Sequence, residues 1–191
     1  AFLFQECIYW IFGIFCWVLD ECQVKKFKAF NPRPDTLSES KILPIVIRNH
    51  LILTVFHYVY CALFTFNKVD YTFLEFVINL LVFITLFDIL FYIGHRLMHH
   101  PKLYSFIHKQ HHLTRATIGI SGYYMGVIDF FGEFIIPFYL PIYFMGNCPL
   151  LMITVGLIGQ LNGILSHSGH DLPLMPWVDD HQIHHLEQNY N

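Results

Sequence analysis

Long apolar runs dominate this sequence and constrain its fold more than any other feature. A helix needs about 20 apolar residues to cross the ~30 Å hydrocarbon core of a bilayer. Five runs approach or exceed that length, at residues 2–19, 42–66, 72–94, 117–145 and 147–165. Only 13% of the residues are charged, about half of the ~25% typical of a soluble domain. These features predict an all-α integral membrane protein.

The runs predict two transmembrane helical hairpins and one preceding helix. We expect them to form a single membrane-embedded domain over residues 1–191, incomplete at both ends because the chain starts inside an apolar run. The run at 117–145 is the least regular, since it contains Gly126, Asp129 and Pro137. Gly146 and Pro149 indicate a turn before the last run. The five cysteines show no CxxC pair, which favours free thiols over disulfides.

The lysines and arginines predict the orientation of the chain. Five lie between Lys25 and Lys41, four lie between Arg96 and Arg115, and Lys68 lies in the short turn at 67–71. The positive-inside rule places the first two groups on the cytoplasmic side and Lys68 on the opposite side. The segments before and after the last hairpin then meet in a helical cap on the cytoplasmic face. The net charge of −3 and the sparse basic residues argue against nucleic acid as a partner.

Histidine is the residue type that indicates chemistry. Of the 13 histidines, 11 fall in four short clusters, with spacings of three or four residues that place them on one helix face. Imidazole suits iron, zinc, copper and nickel. A single cluster of this kind could equally be a metal site or a few surface histidines. Four clusters on one membrane face predict a metal site. Its candidate ligands are His95, His99, His100, His108, His111, His112, His167, His170, His181, His184 and His185.

The number of ligands narrows the choice of metal. A structural zinc ion takes four ligands, whereas eight to eleven histidines are enough for two ions with open positions. The Glu-x-x-His repeat of soluble di-iron bundles and the HExxH signature of zinc proteases are both absent from the sequence. The pattern favours two iron ions that activate oxygen, although zinc could occupy such a site in a preparation.

The order of the clusters resembles the fatty acid hydroxylase superfamily, which includes sterol desaturases, sterol 4-methyl oxidases and fatty acid 2-hydroxylases. The resemblance rests on HRLMHHPKLYSFIHKQHH, HSGHDLP and HQIHH, runs from about Phe91 to Asn191, and is nearest to the sterol 4-methyl oxidases. Two elements depart from the family pattern. Its Tyr-x-His-Pro-x-Glu element reads YMGVID here, from Tyr124 to Asp129, and Gln182 stands where many members have Asp.

The resemblance implies a function as well as a fold. It implies O2-dependent, di-iron hydroxylation or desaturation of a membrane lipid, with a sterol as the first candidate and a fatty acid or sphingolipid as the alternative. A non-catalytic, metal-binding structural membrane subunit is the third interpretation. The sequence has no GxGxxG, flavin or His-Pro-Gly-Gly element, so electrons would come from a redox partner of cytochrome b5 type. We expect the endoplasmic reticulum as the location, with the mitochondrial or bacterial inner membrane as alternatives, and a larger membrane complex is a further candidate partner.

The resemblance assigns the ligands position by position. His100 and His170 are positions at which family members differ, and the other nine histidines are implied ligands. No catalytic residue beyond the metal site is predicted.

Three carboxylates lie close to the histidines in sequence. Asp88 precedes His95 by two helical turns and is a candidate to orient it, as carboxylates beside metal ligands do. Asp129 and Glu133 form an i,i+4 pair, for which orienting a ligand or packing helices is favoured over direct catalysis.

Two histidines lie outside the clusters. His50 and His57 share a helix face in the second run. Interior hydrogen bonds, or a position at the cytoplasmic rim for His50, are favoured over haem ligation, for which no partner histidine is available on another run.

Overall fold

The structure is a computed structural model that describes residues 2–22, 37–66, 71–115, 118–170 and 177–187. These residues form helices and no strand, which confirms the all-α prediction. The helices are α1 (Phe2–Glu21), α2 (Glu39–Leu63), α3 (Phe73–Met98), α4 (Pro101–Tyr104), α5 (Val127–Phe144), α6 (Pro149–His167) and α7 (Trp177–Glu187). Short 3-10 helices cover His111–Leu113 and Gly119–Tyr123.

Five of the described helices, α1, α2, α3, α5 and α6, are long and apolar enough to cross a membrane. α3 begins with a capping box between Thr72 and Glu75 and turns most of its large apolar side chains outward, among them Leu74 and Ile89. Exposed apolar surface of this extent would promote aggregation in water and is suited to a bilayer. The structure therefore supports the assignment as an integral membrane protein.

The predicted run at 117–145 does not form a single helix. Helix α5 begins only at Val127, and the residues before it form the buried 3-10 helix Gly119–Tyr123. Glycine permits this, because a Cβ at Gly122 would lie 3.1 Å from the carbonyl oxygen of Gly163. The apolar character of this part of the run thus reflects burial inside the protein.

Side chains of α1 and α2 satisfy the non-helical backbone of this segment. Tyr9 Oη donates to the carbonyl of Ile120 at 3.0 Å, and Asn49 Nδ2 donates to the carbonyl of Tyr123 at 2.8 Å. Arg48 Nη2 donates to the carbonyl of Met125 at 2.6 Å. Irregular backbone at membrane depth is stable only when it is buried and paired in this way.

The other polar residues of the bundle also form interior hydrogen bonds. His50 pairs with Glu6, and His57 Nδ1 lies 3.0 Å from Tyr139 Oη, which confirms the interpretation of both histidines. The five cysteines are free thiols, as expected.

The predicted turn between α5 and α6 is confirmed. Gly146 and Asn147 adopt positive φ angles of 84° and 55°. The side-chain oxygen of Asn147 accepts from Tyr60 Oη at 2.5 Å, and Pro149 starts α6. Lys68 and most of the basic run 25–41 lie outside the described residues, so the orientation in the membrane stays a prediction.

Candidate metal centre

The histidines come together because several helices end at the same place. His95 lies in the last turn of α3 and His99 caps its C-terminal end. The backbone then turns through α4, which brings His108, His111 and His112 back against α3. α6 ends at His167, and α7 lies beside it with His181, His184 and His185 at i, i+3 and i+4 spacing.

Eight histidines form two groups. The first histidine group is His95, His99, His108 and His184, and the second histidine group is His111, His167, His181 and His185. Within each group, one ring nitrogen from every member lies within 4.8 Å of the others. Each group draws its members from at least three separate segments of the chain.

The distances within the groups suit metal coordination. Two imidazole nitrogens bound ~2.1 Å from one ion at bond angles of about 90–110° are roughly 3.0–3.4 Å apart. The Nε2 atoms of His95 and His184 are 3.0 Å apart. In the second group, His167 Nε2 lies 2.9 Å from His181 Nε2 and 3.4 Å from His111 Nε2. The Nε2 atoms of His181 and His185 are 3.2 Å apart.

His112 lies between the two groups. Its ring centroid is 4.7 Å from that of His184 in the first group and 4.8 Å from that of His185 in the second. Nε2 of His108, whose ring packs against that of His112, is buried with no hydrogen-bond partner among the described residues. An unsatisfied buried polar atom costs about 1–3 kcal/mol, and coordination to an ion would remove that cost.

The second ring nitrogen of several of these histidines is held by an acceptor. His111 Nδ1 lies 3.3 Å from the carbonyl oxygen of Tyr124, and His167 Nδ1 lies 2.8 Å from that of Gly163. His108 Nδ1 lies 2.9 and 3.0 Å from the two carboxylate oxygens of Asp129. A proton on Nδ1 leaves the lone pair of Nε2 for the metal, so these contacts select the tautomer that a ligand requires.

Glu133 is the carboxylate that contacts His95. It forms a short hydrogen bond with His95 Nδ1 and is almost fully buried. The prediction that Asp88 orients His95 is therefore wrong, and Asp88 is exposed on α3. The physical reason is reach, since two turns of one helix separate the two side chains by ~10.5 Å along the axis. Asp129, in contrast, does contact a candidate ligand, His108.

A widened turn of α5 contains Glu133 and directly follows the helical turn that carries Asp129. Residues Phe131–Ile135 form a π-helical turn that contains Glu133. A proline ring inside a helix clashes with the carbonyl four residues earlier, and Pro137 stands four residues after Glu133. The π turn gives room for that carbonyl, and such turns are frequent at functional sites.

Burial keeps the histidines neutral. It lowers the pKa of His108, His111, His112, His181 and His185, and the neighbouring imidazoles lower it further because a second positive charge would be repelled. Only the neutral imidazole has a lone pair for a metal. The site is therefore ready to bind a cation at neutral pH.

Besides His112, two candidate ligands lie outside both groups. His100 is exposed and caps the N-terminus of α4, where its Nδ1 accepts from the backbone N–H of Lys102 at 3.3 Å. His170 is buried, with Nε2 3.3 Å from a carboxylate oxygen of Asp20. Metal ligation by any of the eleven histidines stays a prediction, but the geometry favours the eight grouped histidines and His112.

Gln182, which lies within the last histidine cluster, contacts the backbone of another segment. Its side-chain amide donates a short hydrogen bond to the carbonyl of Arg115, which ties α7 to the segment after the 3-10 helix His111–Leu113. An ionised Asp has no hydrogen to donate, so the residue common in the family could not form this bond.

An apolar cavity adjoins the histidines. Its volume is about 760 Å³, within the ~300–1,000 Å³ typical of small-molecule sites. Histidines of both groups line it together with Glu133. Phenylalanines form much of the remaining wall, at Phe83, Phe87, Phe91, Phe134 and Phe138.

Fold and site together define a class: a helical membrane-type protein with two histidine groups, each of which could hold a metal ion, beside an apolar cavity. The sequence model of the fatty acid hydroxylase family matches residues 80–191. The chain belongs to that family, as the order of the histidine clusters predicted.

Several curated proteins are similar to the chain. Fatty acid hydroxylase domain-containing protein 2 from Homo sapiens is 35% identical over 119 residues, which are 62% of this chain and 35% of that protein. Fatty acid hydroxylase ahd1 from Mycosarcoma maydis is 27% identical over 170 residues, 83% of this chain and 44% of that protein. Methylsterol monooxygenase 1 from Rattus norvegicus is 30% identical over 105 residues, 50% of this chain and 35% of that protein. The chain thus spans less than half the length of these relatives. No solved structure matches it significantly.

Proposed function

We propose that the chain is the metal-binding core of an O2-dependent lipid oxidase, with one iron ion in each histidine group. The substrate is a membrane lipid, with a sterol as the first candidate. The observation that carries the proposal is the cavity of about 760 Å³, because candidate metal ligands and apolar walls line the same space. A bilayer lipid would bring an apolar body to those walls and a C–H bond to the histidines.

Two ferrous ions at this site would supply the activation of O2 and the removal of hydrogen from an unactivated C–H bond, giving an alcohol or a double bond. The residues of the chain provide the conditions for that chemistry. Glu133 and Asp129 fix the rings of His95 and His108 through their Nδ1 atoms. The phenylalanine walls exclude water and place the lipid.

The comparisons support two substrate classes. A methylsterol monooxygenase is among the relatives, which favours a sterol. A fatty acid hydroxylase matches 83% of the chain, which favours an acyl lipid as the second candidate. Electrons would come from a separate donor of cytochrome b5 type, and the endoplasmic reticulum would be the location.

The decisive experiment compares two histidines of neighbouring clusters. His111 belongs to the second histidine group, whereas His100 is exposed and outside both groups. The variants His111→Ala and His100→Ala are purified in lipid nanodiscs, and their iron and zinc contents are measured by mass spectrometry. Oxidation is then assayed with a reductase, cytochrome b5, O2, and sterol or acyl-lipid substrates.

The expected result is loss of metal and of lipid oxidation in His111→Ala, with both retained in His100→Ala. Both variants should insert and accumulate, since apolar burial and paired backbone groups hold the spanning helices. An iron-loaded wild-type protein that oxidises neither sterols nor acyl lipids under these conditions would instead favour the structural-subunit interpretation.

A further inference from the structure

Two glycines on α6 form part of the cavity wall although no neighbouring side chain requires them. Gly159 and Gly163 line the cavity, and a Cβ built on either would meet no atom within 4 Å beyond the adjacent backbone of α6. Gly156 on the same helix is different, because a Cβ there would overlap the side-chain amide of Gln5. Packing against α1 therefore explains Gly156 and does not explain the other two.

Each of these two glycines makes α6 less stable than alanine would. Glycine in the interior of a helix costs about 0.5–1 kcal/mol relative to alanine. Glycines at the spacing of Gly159 and Gly163 often let a second membrane helix approach closely. No helix of the described residues occupies the space in front of them. What the two glycines provide in this structure is empty width in the cavity.

This empty width lies close to the candidate metal ligands. His167 of the second histidine group lines the same cavity. Gly163 precedes it by four residues and Gly159 by eight, which is ~6 Å and ~12 Å along the helix axis. On α3, another wall is a row of near-parallel rings, Phe83, Phe87 and Phe91. A ligand that lies along these walls therefore has the added width next to the second histidine group.

Exposed lining residues on α3 and α6 indicate where the cavity opens. Ile84 and Ile158 line the cavity, yet they are 37% and 46% exposed. They precede His95 and His167 by eleven and nine residues, which is ~16 Å and ~14 Å along the two helix axes. An opening at that depth in two membrane-type helices faces the hydrocarbon of a bilayer, so a membrane lipid can reach the glycines from the side.

We propose that Gly159 and Gly163 are specificity-determining residues, whose missing side chains make the cavity wide enough for the fused rings of a sterol. A single acyl chain is narrow and flexible, so it needs no such width. A fused ring system is broad and rigid and cannot bend around added side chains. The inference rests on the proposed function for the role of the cavity as the substrate site, and it assigns the choice between the two substrate classes to these two positions.

The test compares the binding of a ring lipid with that of a chain lipid and needs no turnover. The probes are cholesterol and hexadecan-1-ol, which each carry one hydroxyl group and differ in the width of the hydrocarbon. Radiolabelled probes are titrated into phosphatidylcholine nanodiscs that contain the wild-type chain, Gly159→Leu or Gly163→Leu, and binding to empty nanodiscs is subtracted. We expect both variants to bind cholesterol about 10- to 100-fold more weakly, because the new side chain overpacks the space that the rings need. Binding of hexadecan-1-ol should stay nearly unchanged.

Thr154→Leu is the matched control. It adds a similar side chain to α6 outside the cavity lining, where the Thr154 hydroxyl donates to the carbonyl of Leu150 in the same helix at 2.9 Å. This variant should bind both probes as the wild-type chain does. Metal content and thermal unfolding identify any variant that fails to fold. If a leucine variant fails, alanine at the same position decides, because a methyl group has room there in the empty cavity and should still weaken cholesterol binding selectively.

Three results would overturn the inference: no binding of cholesterol by the wild-type chain, unchanged cholesterol binding in the folded variants, or an equal loss of both probes. A cross-linked dimer that the leucine variants abolish, with cholesterol binding unchanged, would assign the glycines to helix pairing between two copies. The two proposals can fail separately. A selective loss of cholesterol binding, without lipid oxidation by the wild-type protein, would refute the oxidase and leave the role of the glycines standing. Lipid oxidation with unchanged probe binding in the variants would do the reverse.

Discussion

At the residue scale, the carboxylates behind the histidines control how well the site holds a metal. Glu133→Ala removes the acceptor for His95 Nδ1, so the ring loses its fixed tautomer and orientation. We expect metal affinity to fall by about 10- to 100-fold, the usual effect of removing such a partner. Glu133→Gln keeps a neutral acceptor and should have a smaller effect. Competition with a chelator of known affinity, followed by metal analysis, measures both.

Asp88→Asn is the control for this experiment. Asp88 lines the same cavity but is not the carboxylate on His95, so its replacement should leave metal affinity unchanged. If Asp88→Asn weakens binding as much as Glu133→Ala does, the assignment of Glu133 is wrong.

The residue scale also shows what the sequence could reveal. The three- and four-residue spacings of His95, His99, His181, His184 and His185 place rings on one helix face, and this can be read without a structure. The partner of His95 could not be found in this way. Asp88 was expected because it lies on the same helix, whereas Glu133 approaches from another helix, and the pairing of two helices is a long-range property.

At the element scale, the contact between α3 and the π turn of α5 sets the position of His95. A Cβ on Gly94 would lie 3.0 Å from the carbonyl oxygen of Gly132, a backbone atom that cannot turn aside. Gly94→Ala should therefore push the helices apart and displace His95. We expect destabilisation of about 1–3 kcal/mol, as for other overpacked sites, together with lower metal affinity. Thermal unfolding in detergent and metal analysis measure the two effects.

Gly159→Ala is the matched control on α6. A Cβ there has no atom within 4 Å, and alanine is a better helix former than glycine by up to ~1 kcal/mol. Its unfolding temperature should stay the same or rise. Equal destabilisation by the two substitutions would mean that the α3–α5 contact is not tight.

The elements themselves were only partly predictable. Four of the five apolar runs correspond to helices within a few residues, because length and apolar character specify a span. The prediction of one continuous span at 117–145 did not match the structure. Residues 118–126 are apolar because they are buried against α1, α2 and α6, and they do not belong to the helix. Pro137 lies two residues after the end of the π turn, and a proline in the sequence does not by itself indicate how a helix will accommodate it.

At the scale of the whole molecule, metal should stabilise the entire bundle. The two groups join α3, the segment after α4, α6 and α7, so each bound ion would link three of these segments and two ions would link all four. An ion present at about 1,000 times its dissociation constant adds ~4 kcal/mol if it binds only the folded state. Chelation should lower the unfolding temperature, and iron or zinc should restore it. An unfolding temperature that does not respond to chelation, with metal loss verified, would contradict this.

The orientation of the molecule can be tested at described positions. Ser38 precedes α2, Thr65 follows it, and Ser105 follows α4 near the histidines. In a cysteine-free background, Ser38→Cys and Ser105→Cys should react with a membrane-impermeant thiol reagent from the cytoplasmic side. Thr65→Cys should react only from the other side. Labelling of positions 65 and 105 from one side would refute the topology.

The distribution of the histidines has a consequence for the biogenesis of the protein. Both groups take a member from α7, His184 in the first and His181 and His185 in the second. α7 is the last described helix to leave the ribosome, so neither group can be completed until the five apolar helices have been made. We therefore expect metal loading to follow the synthesis of α7. In pulse-labelled cells deprived of iron, newly inserted chains should remain cleavable by added protease at α7, and resupply of iron should protect them.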